Sequence, residues 1–353
     1  MSDYKPGQFI HDEITSQADA WAQLIPLVTE KADKIRKLFD GIDEVLLTGC
    51  GSGLNAAMSG VPILQTQTGI SSREVPAAEV YLFPASVLVP KRRTLAILLS
   101  RSGETTEVLH ALEYLREQEI RVLGITCSAD SPLASRSDLT LVLSPVTERA
   151  VATTRSVTGM ILTLQLIAAI VSEDKAYLSE LQRLPVVCDP QMEAFHDLGK
   201  SIGENTGIMK YAFVGSGPFF GQAHESQLKI KEMVLLPADA YPTLDFRHGP
   251  QSNVDPQMLI TVFLSDSASK EESKFIGDMK SLGGFTWVIC DQADDQIREN
   301  ADYFLEINSG LGELTRGVLY MPAVQYMAYY RSLSRGLNPD EPRNLSYWVD
   351  TSG

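Results

Sequence analysis

Cysteine and histidine are scarce in this chain of 353 residues, four and five respectively, and basic side chains are outnumbered 30 to 45 by acidic ones. Each shortage excludes something. Cys50, Cys127, Cys188 and Cys290 form no CxxC pair and no metal-ligand spacing, so neither a zinc site nor a thioredoxin-like motif organises the chain. Three of them follow apolar, strand-like runs, where buried reduced thiols are expected, and the expected compartment is cytoplasmic. No unbroken apolar run reaches the roughly 18 residues of a membrane span, and the opening Met1-Ser-Asp-Tyr-Lys-Pro-Gly lacks the apolar core of a secretory signal. The formal charge of −15 argues against nucleic-acid or anionic-membrane partners, which repel an acidic surface. It leaves room for a phosphorylated small molecule held by a few local donors. Nucleotide loops are missing too: there is no GxxxxGK[ST], and Gly49-Cys-Gly-Ser-Gly lacks the third glycine of GxGxxG.

What the sequence does contain is a repeated α/β pattern. Hydrophobic residues make up 44% and charged residues 21%, a globular composition, and the length suits two domains. The first forty residues have apolar positions three and four apart and read as one or two amphipathic helices. Short apolar strands then alternate with helices, beginning at Glu44, Thr94, Arg121 and Leu139. The same order returns at Tyr211, Leu259 and Phe285. Gly51 and Gly215, Ser100 and Ser265, and Cys127 and Cys290 recur at nearly one separation, the mark of a duplicated domain. The expected organisation is N-terminal helices over 1–40, a first domain over 41–175, a helical connection over 176–209, a second domain over 210–335 and an irregular tail over 336–353. Continuous apolar strands between helices predict mainly parallel sheets covered on both faces, a flavodoxin-like three-layer α/β/α class.

Three clusters carry chemistry. In Ser100-Arg-Ser-Gly-Glu-Thr, at a strand-to-helix junction, the hydroxyls of Ser100, Ser102 and Thr105 and the nearby backbone N–H groups would converge on a phosphate; plain helix capping by Ser102 is the bland reading. Gly51, Ser52 and Gly53 lie at a neighbouring strand end, on the sheet edge where ligands of open α/β folds gather. In the second half Lys229 and Glu232 sit three apart. By spacing alone they read as a solvated helix face, while Glu232 is the candidate carboxylate base and His248, fixed before Gly249-Pro250, the candidate proton shuttle. His11, His110, His196 and His224 read as surface or packing residues.

Five motifs in order resemble the SIS (sugar isomerase) phosphosugar isomerase family, especially the isomerase half of glucosamine-6-phosphate synthase and related deaminases and deglycases. They are Ser100-Arg-Ser-Gly-Glu-Thr, Thr147-Glu-Arg-Ala-Val-Ala-Thr-Thr-Arg, Glu225-Ser-Gln-Leu-Lys-Ile-Lys-Glu, Phe246-Arg-His-Gly-Pro and Pro342-Arg-Asn-Leu. The resemblance implies two tandem SIS domains and a hexose 6-phosphate or amino-hexose 6-phosphate held by Ser52, Ser100, Ser102 and Thr105, with backbone N–H groups from Arg101 onward. It further implies C1–C2 proton transfer by Glu232, ring opening assisted by His248, support of the sugar oxygens by Lys229, and Val151 and Thr153 near the sugar. No metal or organic cofactor is implied, and a homodimer sharing its sites is. Tyr347, which the resemblance also places at the sugar, stands where the synthase has a lysine, and a tyrosine forms no Schiff base. Ser265-Asp-Ser-Ala replaces the phosphate loop in the second half, where Asp266 would repel phosphate, so one phosphate site per chain is expected. A deglycase of 6-phosphorylated sugar–amine adducts and a non-catalytic sugar-phosphate-binding regulator are the alternative functions.

Overall fold

A computed structural model describes residues 5–347. They divide into two compact units. Of the described residues, the N-terminal unit comprises Ser16–Arg149, Arg155–Pro185 and 346–347; the C-terminal unit comprises 5–15, Ala150–Thr154 and Val186–Leu345.

In the N-terminal unit β1 (Glu44–Gly49), β2 (Ser71–Pro76), β3 (Thr94–Leu99), β4 (Arg121–Thr126) and β5 (Leu139–Val142) form one parallel sheet in the order β2-β1-β3-β4-β5. Every residue of β1 and β3 is buried, which is why both read as unbroken apolar runs. In the C-terminal unit β6 (Lys210–Gly215), β7 (Ala238–Tyr241), β8 (Met258–Phe263), β9 (Phe285–Cys290) and β10 (Tyr303–Glu306) follow the same order, β7-β6-β8-β9-β10, again all parallel. The expected fold class is the observed one. In each unit the order reverses between the first and third strands, and the crevice beyond the carboxyl ends of that pair is where a ligand of such a sheet binds. Those ends carry Cys50–Gly53 and Ser100–Thr105 in one unit, and Ser216–Gly217 and Ser265–Ala268 in the other.

The repeat needs one correction. Gly49 pairs with Leu99, and Gly215 with Phe263, so Gly215 corresponds to Gly49 and not to Gly51. The serine landmark holds by hydrogen bonding. Ser100 Oγ accepts the Gly103 N–H at 3.0 Å, and Ser265 Oγ accepts the Ala268 N–H at 3.1 Å. By the ladder itself Leu264 stands where Ser100 does, Leu264 donating to the Ile289 carbonyl and Ser100 to the Ile125 carbonyl, so the second serine lies one residue further on.

The N-terminal segment forms three helices, Gln8–Thr15, Gln17–Thr29 and Ala32–Phe39. The first is capped from far along the chain: the buried Asp340 carboxylate accepts the N–H groups of Gly7 at 2.9 Å and Ile10 at 2.8 Å. Arg155–Ser172 is long and apolar enough to cross a membrane by length and composition, but 83% of it is buried inside the protein. Its Thr158 hydroxyl takes the Trp21 indole N–H at 3.2 Å, as expected of a core helix. Glu313–Ser334 is the long closing helix.

Candidate active site

In the N-terminal unit the chain leaves β3 and turns through Ser100–Thr105 before the helix Thr106–Glu117. Ser100 Oγ lies 3.0 Å from Thr105 Oγ1, and Ser102 Oγ accepts the Glu104 N–H at 3.1 Å. The capping reading fails here. The N-cap position belongs to Thr105, whose side chain makes no cap hydrogen bond because it is turned toward Ser100. Ser102 closes a local turn two residues long and leaves the helix N-terminus to other acceptors. Gly103 holds φ +69°, and a Cβ there would lie 2.1 Å from Ser131 Oγ; only glycine fits the turn. Gly53 acts by close approach. A Cβ there would meet the Leu99 carbonyl oxygen at 2.7 Å, so its absence lets the helix Ser52–Thr68 sit against the end of β3. Gly51 and Ser52 are thereby held beside the serine loop, with Gly51 at the N-cap.

Arg101 makes its side-chain contacts with Glu148 and Tyr347. Its guanidinium pairs with the fully buried Glu148 at 3.3 Å, donates to the Tyr347 carbonyl at 3.0 Å and lies 4.0 Å from the centre of the Tyr347 ring. Glu148 also takes the Ser156 N–H at 3.0 Å and the Ser156 hydroxyl. Tyr347 donates its own hydroxyl to the Glu148 carbonyl at 3.0 Å. The carbonyl and the hydroxyl of Tyr347 are thus both engaged with protein. With Arg101, Ser102, Glu104, Cys127, Ser128 and Thr147 it lines a cavity of 250 Å³.

The C-terminal unit holds the second cluster. The helix Phe220–Lys229 runs into one π-helical turn, Ile230–Val234, closed by Leu235 donating back to the Ile230 carbonyl at 3.0 Å. A wider turn of this kind displaces side chains from the α-helical ladder and recurs at functional sites. Lys229 is fully buried. Its Nζ lies 2.7 Å from Glu232 Oε2 and 3.1 Å from Glu225 Oε1, and donates to Thr153 Oγ1 at 3.0 Å. The solvated-face reading of the Lys229–Glu232 pair is therefore wrong: three-residue spacing reports adjacency and says nothing of burial. Burial alone would lower the Lys229 pKa, but Glu225 and then Glu232 outweigh it and hold it above its ordinary value. Glu225 is completely buried, whereas Glu232 keeps 19% of its side chain exposed.

Thr153 joins this cluster from the segment after Glu148, and its neighbour Val151 is fixed by donating its N–H to the Asp340 carbonyl at 3.0 Å. His248 follows a short 3-10 turn, exposed, and its ring makes no hydrogen bond to another described residue. Ser100, Ser102, Thr105 and Gly51–Gly53 thus share one unit, and Thr153, Lys229, Glu232 and His248 the other. Sequence reasoning gave no role to Glu225 or Glu148, although both stand inside motifs it singled out. The four cysteines are free thiols; burial is the first cause raising Cys50 to about 11 and Cys127, Cys188 and Cys290 to about 12. Among the described residues no three His, Cys, Asp or Glu side chains converge as metal ligands.

Comparison with known proteins places these features. The SIS domain matches residues 40–170 and again 210–334. A glutamine–fructose-6-phosphate aminotransferase (isomerizing) of Sulfurisphaera tokodaii is 25% identical over 97% of this chain and 56% of its own length; the chain spans about half of such curated relatives. A glucosamine-6-phosphate deaminase from Thermotoga maritima is 29% identical, with TM-score 0.74, covering 92% of this chain and 99% of that one. The Escherichia coli tagatose-6-phosphate ketose/aldose isomerase aligns with TM-score 0.87 over 96% of this chain and 97% of its own, at 22% identity, a likeness of fold.

Proposed function

The chain belongs to the SIS domain family, and from that premise we infer that it is an enzyme acting on a hexose 6-phosphate or amino-hexose 6-phosphate, as an aldose–ketose isomerase or an amino-sugar-phosphate deaminase. The observation that carries this reading is the Glu232 carboxylate, partly exposed and held at 2.7 Å by the buried Lys229 ammonium. A proton on carbon next to a carbonyl needs a placed base and a fixed positive charge for the oxyanion that develops. Glu232 takes the proton from C1 or C2 and returns it to the neighbouring carbon through an enediol or enolamine. Lys229, kept charged by two carboxylates, supplies the electrostatic support. The phosphate goes to the hydroxyls of Ser100, Ser102 and Thr105, with Gly51 and Ser52 beside them. Val151 and Thr153 are the residues proposed to border the sugar.

His248 assists ring opening in this reading. Its exposure, with no hydrogen bond to its ring from another described residue, favours service to a second copy, hence a homodimer. The tail residue Tyr347 shapes the ligand's surroundings by holding Arg101. The T. maritima relative is a glucosamine-6-phosphate deaminase, which puts amino-sugar phosphates first among substrates to try.

Proton NMR in heavy water tests this with hexose 6-phosphates, glucosamine 6-phosphate included. Loss of the C1 or C2 proton signal is expected, and Glu232→Gln should slow that exchange about 100-fold or more. Undiminished exchange in Glu232→Gln removes the assignment of the base. No exchange with any sugar phosphate moves the assignment to a bulkier sugar–amine adduct, which fructosamine 6-phosphates would reveal.

A further inference from the structure

The two serine loops lie at equivalent places in the two sheets but differ in what their donors meet. In the first, Ser100 and Thr105 bond with each other, Ser100 and Ser102 accept loop N–H groups, and no carboxylate accepts from the three hydroxyls among the described residues. In the second, two carboxylates of the chain take the donors. Glu272 accepts the Ser265 N–H at 2.7 Å, the Ser265 hydroxyl at 3.0 Å and the Thr243 hydroxyl at 2.8 Å. Glu313 accepts the Asp266 N–H at 3.0 Å through Oε1 and the Ser267 hydroxyl at 2.7 Å through Oε2.

We propose that Glu313 is the built-in occupant of an anion seat in the second repeat, so that the seat is closed to phosphate by a carboxylate of the protein itself. The two Glu313 oxygens bridge adjacent donors before the 13-residue helix Ser269–Ser281, an arrangement that two phosphate oxygens would adopt at a helix N-terminus. Glu272 is fully buried and ties two loops together, whereas the bonds of Glu313 lie at the exposed surface. Glu313 is thus the replaceable one.

This changes the reason for expecting a single phosphate site. Asp266 is not the barrier, because Arg316, itself only 1% exposed, grips both its oxygens at 2.7 and 2.5 Å and neutralises it. Removing Glu313 leaves a neutral Asp266–Arg316 pair beside a free N–H and a free hydroxyl. The duplicated fold therefore has two loops of one design, one open and one plugged from within. This inference uses the reading of the first loop as a phosphate binder only to set the starting count.

Titration with inorganic phosphate, followed by calorimetry and by the amide resonances of Asp266 and Ser267, tests the plug. The unaltered chain should bind one phosphate and leave both amides unmoved. Glu313→Ala should bind one more and shift them, and Glu313→Ser, which keeps a helix-starting side chain, should do the same. Asp266→Asn should gain nothing. A folded Glu313→Ala and Glu313→Ser pair with no added site overturns the proposal, as does a site gained on Asp266→Asn instead. No phosphate on the unaltered chain would count against the first loop alone, since the gain in Glu313→Ala is read as a difference.

Discussion

Lys229 Nζ sits 2.7 Å from Glu232 Oε2 across the junction of an α-helix and a π-helical turn, with Glu225 behind it at 3.1 Å. One buried cation thus serves a buried and a partly exposed carboxylate, and only the exposed one is available to a ligand. The division suits a base that must be both anchored and reachable.

Replacing that cation exposes the arrangement's energetic weight. Lys229→Met leaves the fully buried Glu225 without its counter-charge and should cost about 3–5 kcal/mol, read by urea denaturation. The folded-state pKa of Lys229 is raised, so its contribution is complete below the unfolded value near about 10.4. It fades as pH rises through the folded value. The stability gap between the two proteins should therefore stay constant from neutral pH to about 10 and narrow above it. A gap that narrows below pH 9 would contradict the pairing.

Arg101 stands inside the serine loop but spends its hydrogen bonds on Glu148 and Tyr347. Arg101→Ala should therefore lower stability more than phosphate affinity, by about 3–5 kcal/mol, since Glu148 is fully buried. Ser102→Ala should do the reverse. Thermal denaturation and phosphate titration of both variants check the contrast; a large affinity loss in Arg101→Ala without destabilisation would make Arg101 a direct phosphate ligand.

Gly103→Ala should abolish phosphate binding while leaving the C-terminal unit folded. The methyl would lie 2.1 Å from Ser131 Oγ at a left-handed φ of +69°, so the loop must rebuild. Calorimetric titration with inorganic phosphate should show no heat, and retained binding would show that the loop tolerates a different turn.

How much of this the sequence revealed depends on the range of the interaction. Central strands such as Thr94–Leu99 were legible because burial on both faces leaves an unbroken apolar run. β2, β7 and β10 were not: Ser71–Pro76 is an edge strand, mostly half-buried or exposed and polar in composition, so it carries no period. The Ser100–Thr105 loop was legible as a local motif. The burial of Lys229 was not, since it depends on what packs over the helix. Nor were the bonds from Glu313 to Asp266 and Ser267, or from Asp340 to Gly7, which link residues distant in sequence. Tyr347 was placed at the sugar by resemblance; its contacts with Arg101 and Glu148 came only from the structure.

The carboxylate that caps the first helix also sets an order of events. Gly7 and Ile10 are synthesised more than three hundred residues before the Asp340 that takes their N–H groups. Most of the N-terminal unit, Ser16–Arg149 with Arg155–Pro185, is synthesised as nearly one stretch and can gather its core while the rest is still being made. The helix Gln8–Thr15 must wait, because its partners in Val186–Leu345 come much later, and closing so long a loop is slow. The helix Gln8–Thr15 is therefore a late arrival in folding although it is made before its partners, and its exposed interval during synthesis is where a nascent-chain chaperone would find it.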